Sequence, residues 1–154
     1  MKQTKMLVQG AIIAGLYVAL TLAFAPISFL QVQVRISEVL TILPVFTPAA
    51  IPGLFVGVLI ANMFGGLGII DIVLGSLATL TAAYLSRKMP RRWLVPLPPV
   101  VINAVVVAFI LNYVLGFPYV ATMGWVAIGQ IIACYGLGYP FMLVLDKYKD
   151  NIFK

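Results

Sequence analysis

Hydrophobic positions along this chain fall into long unbroken runs. Met6 to Ala25 is the first, closed by Pro26; Gly68 to Ser86, Val95 to Leu115 and Tyr119 to Leu145 are equally plain. Runs of about 20 apolar residues are what a helix needs to cross a bilayer. Ile36 to Phe64, "ISEVLTILPVFTPAAIPGLFVGVLIANMF", reads either as one long tilted helix or as two short ones. Pro48, Pro52 and Gly53 interrupt it, because proline removes a backbone donor and clashes with the preceding turn. With that break the pattern predicts an all-α integral membrane protein, a bundle of six transmembrane helices in one membrane domain spanning residues 1–154. The helices fall at about 5–25, 36–47, 49–64, 69–86, 93–115 and 120–146. No internal repeat stands out, which argues against a carrier built from two inverted halves.

Charge placement supports the same count. Nine of the ten Lys and Arg residues form three clusters: Lys2 and Lys5; Arg87, Lys88, Arg91 and Arg92; Lys147, Lys149 and Lys154. Each flanks a hydrophobic run, as orienting charges do in a membrane. Five crossings would put the later clusters opposite the first. Six put all three on one side, so both termini are expected in the cytoplasm. Composition agrees: 63% of residues are hydrophobic and 9% charged, with mean hydropathy +1.12. Soluble domains carry roughly 25% charged residues, and this chain has too few to face water all round. The net charge of +6 is therefore membrane orientation rather than nucleic-acid binding. The first run suits a retained span better than a cleaved signal.

The tenth cation, Arg35, stands alone in "VQVRISEVLTILP", three residues before Glu38. Polar groups inside lipid are costly, so their depths are informative. Glu38 and Asp71 fall in the first turns of the second and fourth helices, Asn62 and Asn112 near outer ends, and Asn103 and Gln130 near mid-depth. Polar side chains from five helices thus converge on the outer half of the bundle. Amides supply donor and acceptor together, and carboxylates accept paired N–H donors. That suits a polar organic ligand better than a metal, which the neighbouring Arg35 would repel. Structural readings stand beside the functional ones. Arg35 and Glu38 can simply pair at a helix start, Asp71 can serve the helix dipole, Asn62 can cap a C-terminus, and Gln130 can bond a neighbouring helix. Asn103 and Asn112, nine residues apart, point to opposite faces and cannot both line one pocket. Trp125, Tyr113 and Tyr119 read as interfacial aromatics, and Cys134 as packing.

In "GAIIAGLYVALTLAFA", Ala11, Gly15, Ala19 and Ala23 recur every four residues. Such a stripe lets a second helix approach closely, either within this chain or from another subunit. The chain has no histidine, no phosphate-binding loop and no nucleophile beside a base, so catalysis, a cofactor and a metal are not expected. If ATP drives uptake, the ATPase is another chain.

The six-helix pattern, the small-residue stripe and the outer polar pocket resemble the substrate-binding S-components of energy-coupling factor (ECF) transporters. "VQVRISEVLTILPVFTPAAIPGLFVGVLIAN", residues 32–62, is specifically similar to the QueT family, which handles precursors of the tRNA base queuosine. The resemblance implies binding of a 7-deazaguanine (preQ1, preQ0 or queuine) from outside. Delivery inward would follow docking, through Ala11, Gly15 and Ala19, onto a transmembrane coupling subunit with two ATPases. It further implies that Glu38 accepts the guanine-like edge and that Arg35 orients Glu38 or faces the base carbonyl. Asn103 and Gln130 would read other ring edges, and Asp71 would meet an aminomethyl cation. The rival readings are an S-component for another vitamin or base, a self-sufficient small carrier, and a structural membrane subunit.

Overall fold

The computed structural model describes residues 1–28 and 33–153, which are helical almost throughout with no strand among them. The long α1 (Lys2–Ala23) is followed by a single turn, α2 (Ala25–Ser28), and by a 3-10 helix, Ile36–Val45. Next come α3 (Ala50–Met63), a π-helical stretch (Asp71–Gly75) running straight into α4 (Ser76–Lys88), and a short 3-10 turn (Arg92–Leu94). α5 (Leu97–Leu115) and α6 (Tyr119–Gln130) precede a second π-helical stretch (Ile131–Gly138) and α7 (Tyr139–Ile152).

The break expected inside 36–64 is present, with Pro48 exposed in the turn between the 3-10 helix and α3. Three departures from the expected helices have physical causes. α1 starts at Lys2, its charged first turn being helical as well. The second segment is a 3-10 helix rather than an α-helix. At about 2.0 Å rise per residue its 10 residues reach roughly 20 Å, against about 15 Å for α geometry, so a short segment gains depth. Last, α6, the π stretch and α7 run on to Ile152. The widened turns of residues 131–138 come just before Pro140, which has no N–H to give to the ladder.

Three stretches among the described residues are long and apolar enough alone to cross a membrane: Lys2–Ala23, Arg92–Leu115 and Tyr119–Ile152. Ile36–Val45 and Ala50–Met63 are shorter apolar helices. The surface is apolar, with Leu7, Ile12, Val101, Phe109, Ile128 and Val144 exposed, while Thr21, Ser37, Glu38, Asn62, Asp71, Asn103 and Gln130 are buried. That distribution reverses the one found in water.

The 3-10 helix lies inside the bundle, against α1, α3, α4, α7 and the second π stretch. Its Ile42 packs with Tyr17, Leu54, Val58 and Met142 in the main apolar core. Lipid tails are as apolar as these side chains, so close packing rather than water exclusion holds helices together here. α1 and α3 show how: a Cβ on Gly53 would lie 2.7 Å from the Gly10 carbonyl oxygen, and one on Gly57 would lie 2.9 Å from Tyr17 Cβ. The GxxxG pair in α3 therefore brings the two backbones together. α1 meets α3 with Gly10, Ile13, Ala14 and Tyr17, and its stripe of Ala11, Gly15, Ala19 and Ala23 faces outward.

One end of the bundle is tied by polar contacts. Thr47 donates to Gln9 Oε1 (2.9 Å), Arg87 to the Pro44 carbonyl (2.6 Å) and Arg92 to Asp146 (2.9 Å), and Phe46 stacks on Phe153. These contacts gather the described residues of the three basic clusters at the same end, Lys154 lying outside the described residues.

Gly57→Val should lower stability in detergent by about 1–3 kcal/mol, the cost of forcing side-chain volume into a packed contact. Gly15→Val, where nothing lies within 4 Å, should leave the melting temperature unchanged. Equal melting temperatures for the two variants would contradict the α1–α3 crossing.

Candidate functional site

Away from the basic end, polar side chains meet around one small closed cavity. Gln33, Arg35, Glu38, Asn62, Asp71, Gly75, Thr79, Asn103, Val107 and Gln130 line it. All five residues expected from the sequence, Arg35, Glu38, Asp71, Asn103 and Gln130, are among them. The free volume is about 10 Å³, room for roughly one water. Two grooves elsewhere on the surface, of about 290 and 270 Å³, are open and almost wholly apolar, as a lipid-facing surface would be.

Glu38 is the hub. Three-residue periodicity in a 3-10 helix stacks Arg35, Glu38 and Thr41 along one edge. Tyr17 of α1 donates its hydroxyl to Glu38 Oε1 at 2.6 Å. Asn103 Nδ2 of α5 approaches Glu38 Oε2 at 3.4 Å and donates to Gln130 Oε1 at 3.0 Å. The Thr41 hydroxyl closes back on the Glu38 carbonyl at 2.6 Å. Beneath the Tyr17 turn, Thr21 donates to the Tyr17 carbonyl and shares a 2.6 Å hydrogen bond with Ser37, which fixes the pitch of the 3-10 helix against α1.

Asn62 forms a second node. It accepts from Arg35 Nη1 at 3.2 Å and donates to the Asp71 carbonyl at 3.1 Å. Asn62 therefore lies in the cavity wall rather than capping the C-terminus of α3, because its side chain turns inward to Arg35 and Asp71. Asp71 opens the π stretch before α4 and is buried, and its Oδ2 has no hydrogen-bond partner. Arg35 carries a charge that interacts with both Glu38 and Asp71.

Asn103 and Asn112 separate as their spacing requires: Asn112 is exposed and donates to the Phe117 carbonyl in the following loop. Two contributors escaped the sequence. Tyr17 looks like any aromatic in an apolar run, and only its spacing from the α1–α3 contact face marks it as inward. Gln33 is buried with a φ of 45°, a left-handed conformation that side-chain-bearing residues seldom adopt. Cys134 is buried beside Thr41 and Gln130, as packing predicts.

An assembly of amides, carboxylates and one guanidinium in an apolar bundle can match the edges of a planar polar molecule. It offers no nucleophile with a base, and no group of three His, Cys, Asp or Glu side chains suited to a metal exists among the described residues.

A family model described as QueT transporter matches residues 7–147. The chain belongs to the QueT transporter family. It is therefore a membrane transport protein rather than an enzyme, in keeping with its apolar surface. No curated protein and no solved structure matches it.

In this QueT-family chain, Tyr17→Phe should leave a buried carboxylate oxygen without its donor and cost about 1–3 kcal/mol of stability. Thr81→Ala, which removes an exposed hydrogen bond to the Leu77 carbonyl, should cost no more than about 0.5 kcal/mol. Thermal unfolding of both variants in one detergent checks the difference.

Proposed function

We propose that this chain is the substrate-binding S-component of an ECF-type importer for a queuosine precursor. It would bind a 7-deazaguanine such as preQ1, preQ0 or queuine from outside and deliver it inward with an ATP-driven module. The observation that carries this reading is the convergence of Arg35, Glu38, Asp71, Asn103 and Gln130, from four helical segments, on one buried cavity. Those residues are the proposed binding set. A guanine-like edge presents parallel N–H donors, and a carboxylate held from the far side by Tyr17 is a suitable acceptor.

The topology that goes with this function is six crossings with both termini cytoplasmic. Supporting it, the three basic clusters share an end, and the polar cavity lies toward the other, as the positive-inside rule and an external binding site require. The partners are membrane lipid, a transmembrane coupling subunit and two ATPase subunits. Ala11, Gly15 and Ala19 are the proposed docking face: they are exposed on α1 and small enough for a partner helix to approach closely.

Titration of the purified chain in detergent with preQ1, preQ0, queuine and queuosine, against guanine and a panel of B vitamins, tests the reading. Tight binding of a deazaguanine is expected, weakened about tenfold or more by Glu38→Gln, the loss that goes with a hydrogen bond to a charged group. Vitamin binding instead would keep the architecture and discard the substrate. In vesicles carrying the coupling module, Gly15→Leu should abolish ATP-driven uptake while leaving binding intact. Uptake without any ATPase subunit would favour a self-sufficient carrier.

A further inference from the structure

The turn between α4 and α5 is densely cationic. Arg87, Lys88, Arg91 and Arg92 fall close together, and the sequence has no Asp or Glu between Asp71 and Asp146. Two of the four cations are engaged within the bundle. Arg87 donates to the Pro44 carbonyl at 2.6 Å, and Arg92 pairs with Asp146 at 2.9 Å. Lys88 and Arg91 are exposed, and neither meets a carboxylate among the described residues. Membrane orientation accounts for the side on which such residues lie. It does not require two of them to stand outward without an acidic neighbour.

The surroundings of these two cations are aromatic and apolar. The Lys88 ammonium lies 4.3 Å from the centroid of the Tyr84 ring, so its side chain folds back over the last turn of α4, as long cationic side chains do where a helix leaves the bilayer. Tyr84 and Leu85 are exposed on α4. Across the turn Trp93 is 53% exposed, and Leu97 and Val101 on the neighbouring α5 are exposed as well. Half-exposed Tyr and Trp, each apolar in body and polar at one point, mark the depth of lipid headgroups. Lys88 and Arg91 therefore stand at the level of the phosphates, with a lipid-facing apolar wall directly beside them.

We propose that this corner, formed by Lys88, Arg91 and Trp93 beside the Tyr84 ring, binds an anionic phospholipid. The phosphodiester lies between the Lys88 ammonium and the Arg91 guanidinium, and an acyl chain runs along Leu97 and Val101. A guanidinium forks onto phosphate oxygens, and an ammonium adds a compact point charge. A zwitterionic lipid brings a cation of its own into a turn that already has a surplus, so headgroups of net negative charge are selected. A phosphate free in solution meets the same two cations but gains nothing from the apolar wall. The site lies at the basic end of the bundle, away from the polar cavity, and does not depend on what that cavity holds.

The chain's two tryptophans supply the test. Trp93 is at the site, and Trp125, on α6, lies toward the other end of the bundle. Trp125→Phe thus leaves Trp93 as the single indole. The full-length Trp125→Phe protein is reconstituted in phosphatidylcholine vesicles that contain increasing fractions of phosphatidylglycerol or phosphatidylcholine with brominated acyl chains, which quench a nearby indole. Phosphatidylglycerol should reach half-maximal quenching of Trp93 at about a tenfold lower mole fraction, the order of gain that two cations bring at an anionic headgroup. Adding Lys88→Gln and Arg91→Gln should bring the two lipids level. Trp125, observed in a Trp93→Phe protein, should show no preference. Equal quenching of Trp93 by the two lipids overturns the proposal without recourse to the charge variants, and so does an equal preference at Trp125. Loss of the preference to inorganic phosphate at constant ionic strength also overturns it, since the cations would then serve a soluble anion.

Discussion

A carboxylate placed in the middle of an apolar bundle is the constraint on which the rest of this structure turns. Glu38 is 2% exposed and must be surrounded by donors, since water is excluded and an unpaired buried charge is costly. The nearest donor, Tyr17, belongs to α1, and its 2.6 Å contact requires α1 to lie against the 3-10 helix. That position is reachable only because Gly53 and Gly57 let α3 come up to α1 without intervening side chains. On the opposite side Asn103 brings in α5, and Gln130 the end of α6. One ionisable group thus fixes the relative placement of four helical segments, in a setting where apolar packing alone discriminates poorly between arrangements.

Departures from α geometry gather around that group. Glu38 and Arg35 lie at the start of a 3-10 helix, Asp71 opens one π stretch, and Gln130 immediately precedes the other. In a regular α-helix, successive inward positions drift by 3.6-residue periodicity, and side chains from several helices seldom meet at one depth. Tightening one helix and widening two others re-aims these residues toward a common point. Irregular turns of this kind recur at functional sites for that reason.

Much of this was legible in the chain itself. Hydrophobic runs located the helices, because span length leaves little freedom, and charge clusters at their ends showed which must lie together. Arg35, Glu38, Asp71, Asn103 and Gln130 stood out because a polar residue in an apolar run has few bland explanations. What stayed hidden depended on tertiary contact. Tyr17 differs from Tyr113 or Tyr119 only in which face of its helix it occupies, and an all-round apolar helix gives no periodicity from which to read that. Asn62 was read as a cap because it is the last polar residue near the end of an apolar run, yet its side chain turns inward to Arg35 and Asp71. The outward stripe of α1 was visible as a pattern, whereas the inward glycines of α3, spaced as GxxxG, were overshadowed by the prolines beside them. The 3-10 geometry of Ile36–Val45 has no composition signal at all, since the same residues suit an α-helix.

The closed state of the cavity bears on how such a site can both capture and release. With about 10 Å³ free, a planar bicyclic base of the proposed kind would enter only by displacing bonds that the protein now makes to itself. Net affinity is the difference between the hydrogen bonds gained and those given up, and the latter are unequal. The Asn103–Glu38 approach, at 3.4 Å, is long and easily surrendered, whereas the Tyr17–Glu38 bond is short and acts from outside the space a ligand would take. On the proposed reading, such a site would keep its carboxylate oriented throughout, exchange its weak internal contact for the ligand, and re-pair most of its polar groups once the ligand leaves. Release then needs no orphaned amide to be created, which lowers the cost of emptying a site that must also bind tightly. Asp71 is the exception, since it lacks an internal partner for Oδ2 in the closed state. Asp71 stands at the start of the π-helical stretch that continues directly into α4.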